Sequence, residues 1–426
     1  MGSVNRNLRV LAALLLVLSV SGLCVTLHFG FAETQTQVIG IIHSDTTWTK
    51  ANSPYKITGP VGVPSGVTLT IEAGANVTST SGYIQVNGSL RAEGTIADPI
   101  NLQASIRFTE SSSNWSEQTQ TGCIIEYSTV GGIDTFSASP KITHCTINIA
   151  NIRGGAPLLT DNNFTNRLTV TGGSPVISRN VITSQNELDA LSVSDATAVI
   201  SNNTVYGGIG AGDSTSIVNN TVTTANLAHG RSTTGINCGG YGCLVADNVV
   251  FGCDIGIHAG GLGGSVAIER NAVVNNAVEG IHISNVNATV QKNTIVNNSV
   301  GISALWTPNV TIKYNNIMDN EQNSLTLAYT ANDYDATENW WGTTDAQAIN
   351  QSIIDSKYDF TLGTVHFVPY LTAPNPEAPA VPTLPSPSSS PAVVELQFWI
   401  VLPLMITAAL IAVAVGRKNV YARRRS

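Results

Sequence analysis

Eleven positions along the middle of this chain share one local pattern, and together they leave little choice of architecture. They are Ser128, Cys145, Asn162, Asn180, Asn203, Asn220, Asn248, Asn271, Asn293, Asn315 and Asn339, separated by 17, 17, 18, 23, 17, 28, 23, 22, 22 and 24 residues. Three residues before each stands an apolar side chain, from Ile125, Ile142 and Leu159 through Ile312 to Ala336. Two residues after each stands another, from Val130, Ile147 and Phe164 through Ile317 to Trp341. A sandwich that merely used Asn at its surface turns would not hold both flanking columns in place. The chain is a repeat.

A period near 22 is too short for two packed helices, and the flanking segments are short runs of Val, Ile and Thr with alternating apolar positions. Such a unit cannot bury its inner face alone and must stack on copies of itself. The arrangement that stacks like on like is an all-β parallel β-helix of about a dozen coils, spaced by roughly 4.8 Å. Apolar columns then form the core, and the Asn column forms a ladder. Each amide is expected to bond the coils on either side. Asn is also expected to take the left-handed bend itself, since it tolerates those angles.

The two ends differ in composition from the repeat. Met1–Ala32 has Arg6 and Arg9 before an apolar run and small residues at its end, the pattern of a secretory signal. Residues 33–54 are a lead-in, 55–372 the β-helix, and 373–395 a Pro/Ser-rich stalk. Residues 396–416 read as a transmembrane helix, since twenty uncharged residues at ~1.5 Å rise span a bilayer core of ~30 Å. The basic tail 417–426 is expected on the cytoplasmic side, which puts the β-helix outside a cell membrane as a single-pass protein. Excluding signal and tail, 13 cations remain against 28 carboxylates, an excess of 15 negative charges. That balance argues against a nucleic-acid partner. Glycans or other envelope proteins are the expected contacts.

Asn-x-Ser/Thr acceptors for glycosylation occur at Asn76, Asn87, Asn114, Asn163, Asn287, Asn297, Asn309 and Asn350. Asn202 and Asn219 share the motif but sit beside the ladder, where neighbouring coils are expected to shield them. Cys238, Cys243 and Cys253 cluster in the longest gap, where one disulfide can form. Cys123 and Cys145 read as buried apolar residues rather than reactive thiols. Cys24 falls within the signal.

The segments Pro64–Ala75, Gly88–Gly94 and Asp98–Ile100 resemble the first coils of right-handed parallel β-helix surface proteins. Asn339-Trp340-Trp341-Gly342 and Val365–Leu371 resemble their terminal coil, and Gly235-Ile236, Gly256-Ile257, Gly280-Ile281 and Gly301-Ile302 resemble their Gly-Ile strand. The likeness is to membrane-anchored, mostly archaeal envelope members, and more distantly to the β-helix protein of nitrous oxide reductase maturation. It implies a right-handed solenoid and little about activity, because the fold hosts many functions. Trp341 is expected to plug the open end of the core, with Trp340 pointing outward.

No catalytic or cofactor-binding residue is assigned. The central coils lack an Asp-x-x-Asp or Asp-Asp motif, and Arg and Lys are scattered singly. An enzyme would need at least two carboxylates, or an Arg with a calcium site, brought to one groove by stacking. Aligning the Gly-Ile dipeptides places Asn237, His258, His282 and Ser303 in one column. His258 and His282 would then lie about 5 Å apart on adjacent coils, placed for a weakly bound divalent metal. Two ligands without a third make a poor site. The expectation is a non-catalytic, surface-anchored solenoid that presents a rigid polar face to glycans or other cells. A polysaccharide lyase or glycoside hydrolase is the alternative, and envelope copper handling a second.

Overall fold

The computed structural model describes residues 35–184, 189–212, 214–224, 233–261 and 263–384. The expected signal, membrane helix, basic tail, Cys24 and the stalk beyond residue 384 lie outside them. Among the described residues no helix is long and apolar enough to cross a membrane.

The chain winds as a parallel β-helix. One coil shows the plan. Ser265–Glu269 lies on one face, Ala272–Val274 on the next and Glu279–Ser284 on the third, and Asn287–Gln291 then pairs in parallel over Ser265–Glu269. Arg270, Asn275 and Asn285 turn the three corners with φ of 50°, 56° and 56°. First faces stack into a fifteen-stranded sheet, and the other two share a sheet of 22 strands. In early coils, such as Ser128–Phe136 and Asn163–Thr171, these two faces run together as one long strand with a register shift inside it.

Every apolar column expected from the sequence is a column of paired residues. Ile125, Ile142, Leu159, Ile177 and Ile200 sit over one another, as do Val130, Ile147, Phe164, Ile182 and Val205. All are at most 1% exposed and belong to one continuous core from Trp48 to Val365. Paired layers also extend into the lead-in, where Thr36–Ile41 pairs with Tyr55–Val63 and Thr46–Trp48 with Thr68–Ile71. Trp341, 5% exposed, is packed in the core, which continues past it through Ile349, Ile353 and Val365, and Trp340 is half-buried beside it.

The ladder exists, but Asn does not make the bend. The left-handed residue is the one before it at every coil: Tyr127, His144, Asp161, Arg179, Asn202, Asn219, Asp247, Arg270, Lys292, Tyr314 and Glu338, with φ between 44° and 61°. The ladder Asn is instead selected for its amide. From Asn180 onward each Oδ1 accepts from the backbone N–H and the Nδ2 of the preceding ladder Asn, as Asn203 does from Asn180 at 2.9 and 3.0 Å, and Asn162 accepts from the N–H of Cys145. Each Nδ2 also donates to the carbonyl of the previous apolar column, as Asn203 does to Ile177 at 2.9 Å. These groups are buried and no water reaches them, so the row satisfies itself.

A second ladder went unread in the sequence. Asn276, Asn298 and Asn320, each five residues past a ladder Asn, repeat the same bonds at the next corner, with Cys253 as the first rung. Its signal was available as a fixed +5 offset. Cys238 pairs with Cys243, leaving Cys253 free and buried. Burial pushes the thiols of Cys253 and Cys123 up to about 11 and that of Cys145 up to about 12, which keeps them protonated and inert.

Candidate functional site

The left-handed corner column is where the chemistry-bearing side chains gather. A residue held there points away from the core, and its counterparts lie one coil above and below. Successive members are complementary in pairs. The rings of Tyr127 and His144 stack with centroids 4.6 Å apart. Arg179 makes a bidentate pair with Asp161 at 2.8 and 2.7 Å, and Arg270 another with Asp247 at 2.8 and 2.9 Å. Asn219 donates to Asn202 between those two pairs.

Two adjoining hollows of about 430 and 490 Å³ flank the first four members and share His144, Asp161 and Arg179. On one side the floor is Thr146, Asn163 and Val181, and on the other it is Glu117, Glu126, Lys141 and Thr143. Three carboxylates, two cations and an imidazole from positions 117 to 179 thus reach one place. Sequence reading missed this set because it searched for local motifs, whereas the corner residues Tyr127, His144, Asp161 and Arg179 are 17 or 18 apart and Glu117, Glu126 and Lys141 join them from outside that column.

The electrostatics favour fixed charge. The Arg179 guanidinium holds the Asp161 carboxyl below the usual carboxylate range. Trp115, and then Lys141, do the same for Glu117. Lys141 also reaches Glu117 at 3.1 Å and lies 5.0 Å from the Trp115 ring centroid. His144 Nδ1 meets Thr143 Oγ1 at 2.9 Å and stands 3.9 Å from Glu126. Both shifted carboxyls stay ionised, whereas a hydrolase's general acid needs its proton held to a higher pH.

The same channel, between the corner column and the column two residues later, is filled further along. Residues 375–379 fold back over the coils of Asn293 and Asn315. The Asn375 N–H donates to Asn316 Oδ1 at 2.7 Å, and Asn316 Nδ2 returns a bond to the Asn375 carbonyl at 3.2 Å. Asn375 Nδ2 reaches the Tyr314 carbonyl at 2.6 Å, Glu377 pairs with Lys292 at 2.6 Å, and Thr294 donates to the Pro379 carbonyl. This part of the expected stalk is docked rather than free.

The histidine column forms in the expected register. His258 pairs with His282, and their rings meet edge to face with centroids 4.9 Å apart. Each ring already has a protein partner: Glu279 Oε2 at 2.5 Å from His282 Nδ1, and Ser284 Oγ at 3.0 Å from His258 Nε2. Among the described residues no group of three or more His, Cys, Asp or Glu is placed to hold a metal ion.

Burial, helped by the neighbouring His282, pushes the His258 pKa below its ordinary value, against the opposing pull of Glu279. The native fold therefore prefers the neutral ring. Its contribution to stability is present above about pH 6.5 and is lost as pH falls through the lower folded value. Each unit of depression is worth about a factor of ten in the folding equilibrium. Urea midpoints should thus fall more steeply between pH 6.5 and 5 in the wild type than in His258→Asn, and parallel curves would refute this.

The glycosylation acceptors divide by exposure. Asn114, Asn163, Asn297, Asn309 and Asn350 are exposed. Asn76 and Asn87 are half-buried and bonded to Asn101 and Thr109, and Asn287 is half-buried beside Asn309. Asn202 and Asn219 are exposed, against the expected shielding, because they occupy the outward corner rather than the ladder.

The family described as "Right handed beta helix region" matches residues 239–350. No curated protein matches the chain. Among solved structures, a point mutant of the periplasmic alginate epimerase AlgG shares 11% identity at a TM-score of 0.37, covering 77% of this chain and 84% of that one. A mannuronic acid-specific polysaccharide family 6 lyase from human gut microbiota shares 14% at 0.40, covering 75% and 86%. The A-module of a mannuronan C-5 epimerase from Azotobacter vinelandii shares 11% at 0.24, covering 80% and 89%. At this level of similarity they carry nothing about the chemistry of this chain. The matched coils 239–350 are continuous in pairing with those before and after them, and the fold throughout the described solenoid is a parallel β-helix.

Proposed function

We propose that this protein is a non-catalytic envelope solenoid that binds a linear glycan lengthwise in its corner channel. One observation carries the reading: beside Lys292 and Tyr314 the groove between these two columns already holds a polar turn of the chain, residues 375–379, while the same two columns beside Tyr127–Arg179 leave an open hollow. The open stretch offers the Tyr127/His144 ring stack as a platform and Thr146, Asn163, Asp161 and Arg179 as polar partners. At one coil per ~4.8 Å, its four corner residues span roughly 14 Å, the length of a short oligosaccharide. Export on the signal, anchoring by residues 396–416 and glycans on the exposed acceptors belong to the same proposal. The acidic ectodomain supports it, since it offers no basic stripe for nucleic acid.

Titrating the full chain in detergent with the members of a glycan array identifies the ligand and tests the site. Arg179→Ala and Tyr127→Ala should each weaken the best ligand by about tenfold or more, roughly 1.4 kcal/mol or more. Unchanged affinity in both variants would sink the channel.

A second reading has its own observation. Glu117, Glu126, Asp161, His144 and Arg179 converge on adjoining hollows, as a carbohydrate-active enzyme requires. Asp161 and Glu117 are held ionised by their partners, which suits binding better than acid catalysis. Turnover of any polymer in a degradation panel, lost in His144→Ala, would put this reading first.

A further inference from the structure

The corner that closes the third face carries a feature with no structural role in the coil. Its earlier members include Ser137, Gly154, Asp195 and Asn285, all at positive φ and all residue types that tolerate or ease that conformation. The next two are Trp306 and Tyr329, at φ of 49° and 54°. The three positions Asn285, Trp306 and Tyr329 are one coil apart: Asn285 N–H bonds the Leu305 carbonyl, and Trp306 N–H the Ala328 carbonyl. A bulky aromatic in this conformation costs the fold something that Gly or Asn would not.

That cost is not recovered by burial. Trp306 is 53% exposed and Tyr329 is 71% exposed. The rings stack at 4.9 Å and 17°, leaving a rigid pair standing out of the wall. The backbone beneath is held firmly. The Thr307 carbonyl accepts from Tyr334 Oη at 3.0 Å, Asn332 Nδ2 at 3.1 Å and Thr330 Oγ1 at 3.2 Å. Exposed Asn285 precedes the pair one coil back at the same corner, and the loop that bonds Thr330 on the other side carries exposed Tyr358 and Phe360. Near-parallel exposed rings with an exposed amide one coil away suit a pyranose, which sets its C–H face on a ring and its hydroxyls toward an amide.

From this we infer that Trp306 and Tyr329 form a second carbohydrate site, separate from the corner channel and selective for uncharged sugars. It does not depend on the channel reading. Isothermal titration of the full chain in detergent with cellohexaose, chitohexaose and mannohexaose tests it. At least one neutral hexasaccharide should bind, with affinity reduced about tenfold or more in Trp306→Asn and in Tyr329→Asn. Asn suits the left-handed corner, so both variants should melt at or above the wild-type temperature, which separates lost binding from lost fold. Arg179→Ala should leave this binding unchanged. Failure of all three sugars to bind, or equal binding by the Asn variants, overturns the inference. Loss of neutral-sugar binding in Arg179→Ala alone would assign those sugars to the channel and equally refute the second site.

Discussion

Replacing Asn271 by Ala should destabilise the solenoid by about 3–9 kcal/mol, because it takes a partner from three buried polar groups at ~1–3 kcal/mol each. Asn271 is 0% exposed, as is Asn293 on the next coil, and Asn248 on the coil before is 1% exposed. Its Oδ1 accepts from Asn248 N–H at 2.9 Å and Asn248 Nδ2 at 3.0 Å, and its Nδ2 donates to the Val245 carbonyl at 2.9 Å. Removing the amide takes these partners from the Asn248 N–H and the Val245 carbonyl and leaves Asn248 Nδ2 only its bond to the Ile217 carbonyl, where no water reaches. Whole domains are commonly stable by only ~5–15 kcal/mol, so this single change takes a large share. Urea unfolding measures it, with Asn202→Ala as the control. Asn202 is exposed at the corner, and a surface change of that kind costs within ~0.5 kcal/mol. Because coils hold mainly to their neighbours, amide exchange near Asn248 and Asn293 should quicken first. A loss below about 1 kcal/mol would mean that the ladder is not what holds adjacent coils together.

Gly280→Val should be similarly severe, for a steric reason. A Cβ at Gly280 would stand 2.7 Å from the Gly301 carbonyl oxygen and 2.9 Å from Asn298 Nδ2, a rung of the second ladder. Gly256 and Gly301 face the same obstruction from the carbonyls of Gly280 and Ser324, at 2.6 Å each. Those carbonyls cannot retreat without breaking the pairing of neighbouring coils. Gly280→Ala should cost about 1–3 kcal/mol by overpacking, partly offset by ~0.4–1 kcal/mol from a stiffer unfolded chain. Val adds two methyl groups to the same clash and should cost more. Gly62→Ala is the contrast, since its nearest neighbour would be Ile41 Cγ1 at 3.8 Å, an ordinary contact. Thermal denaturation of the three variants orders them. Equal stability of Gly280→Val and Gly62→Ala would show that the coils have slack that these distances deny.

The repeat, its apolar columns, the ladder and the His258/His282 register were all legible in the residues. Stacking turns sequence period directly into contact: residues one period apart must lie one coil apart. The burial of Trp341 was legible for the same reason, since it continues a column. Cys238–Cys243 was within reach as one of the pairings in its cluster.

What lay beyond the sequence was which way each corner residue faces and what meets it from the side. Backbone hydrogen bonding, not residue type, set the left-handed angle one residue ahead of the Asn, so the corner's exposed cast of Tyr127, His144, Asp161 and Arg179 came to light only in three dimensions. The docking of Asn375 on Asn316 and Pro379 on Thr294 joins residues 59 and 85 apart, a lateral contact that no column predicts. Periodicity dictates what stacks along an axis. Which surface residues meet across it depends on loop lengths and on where the chain turns back, and those are properties of the folded molecule.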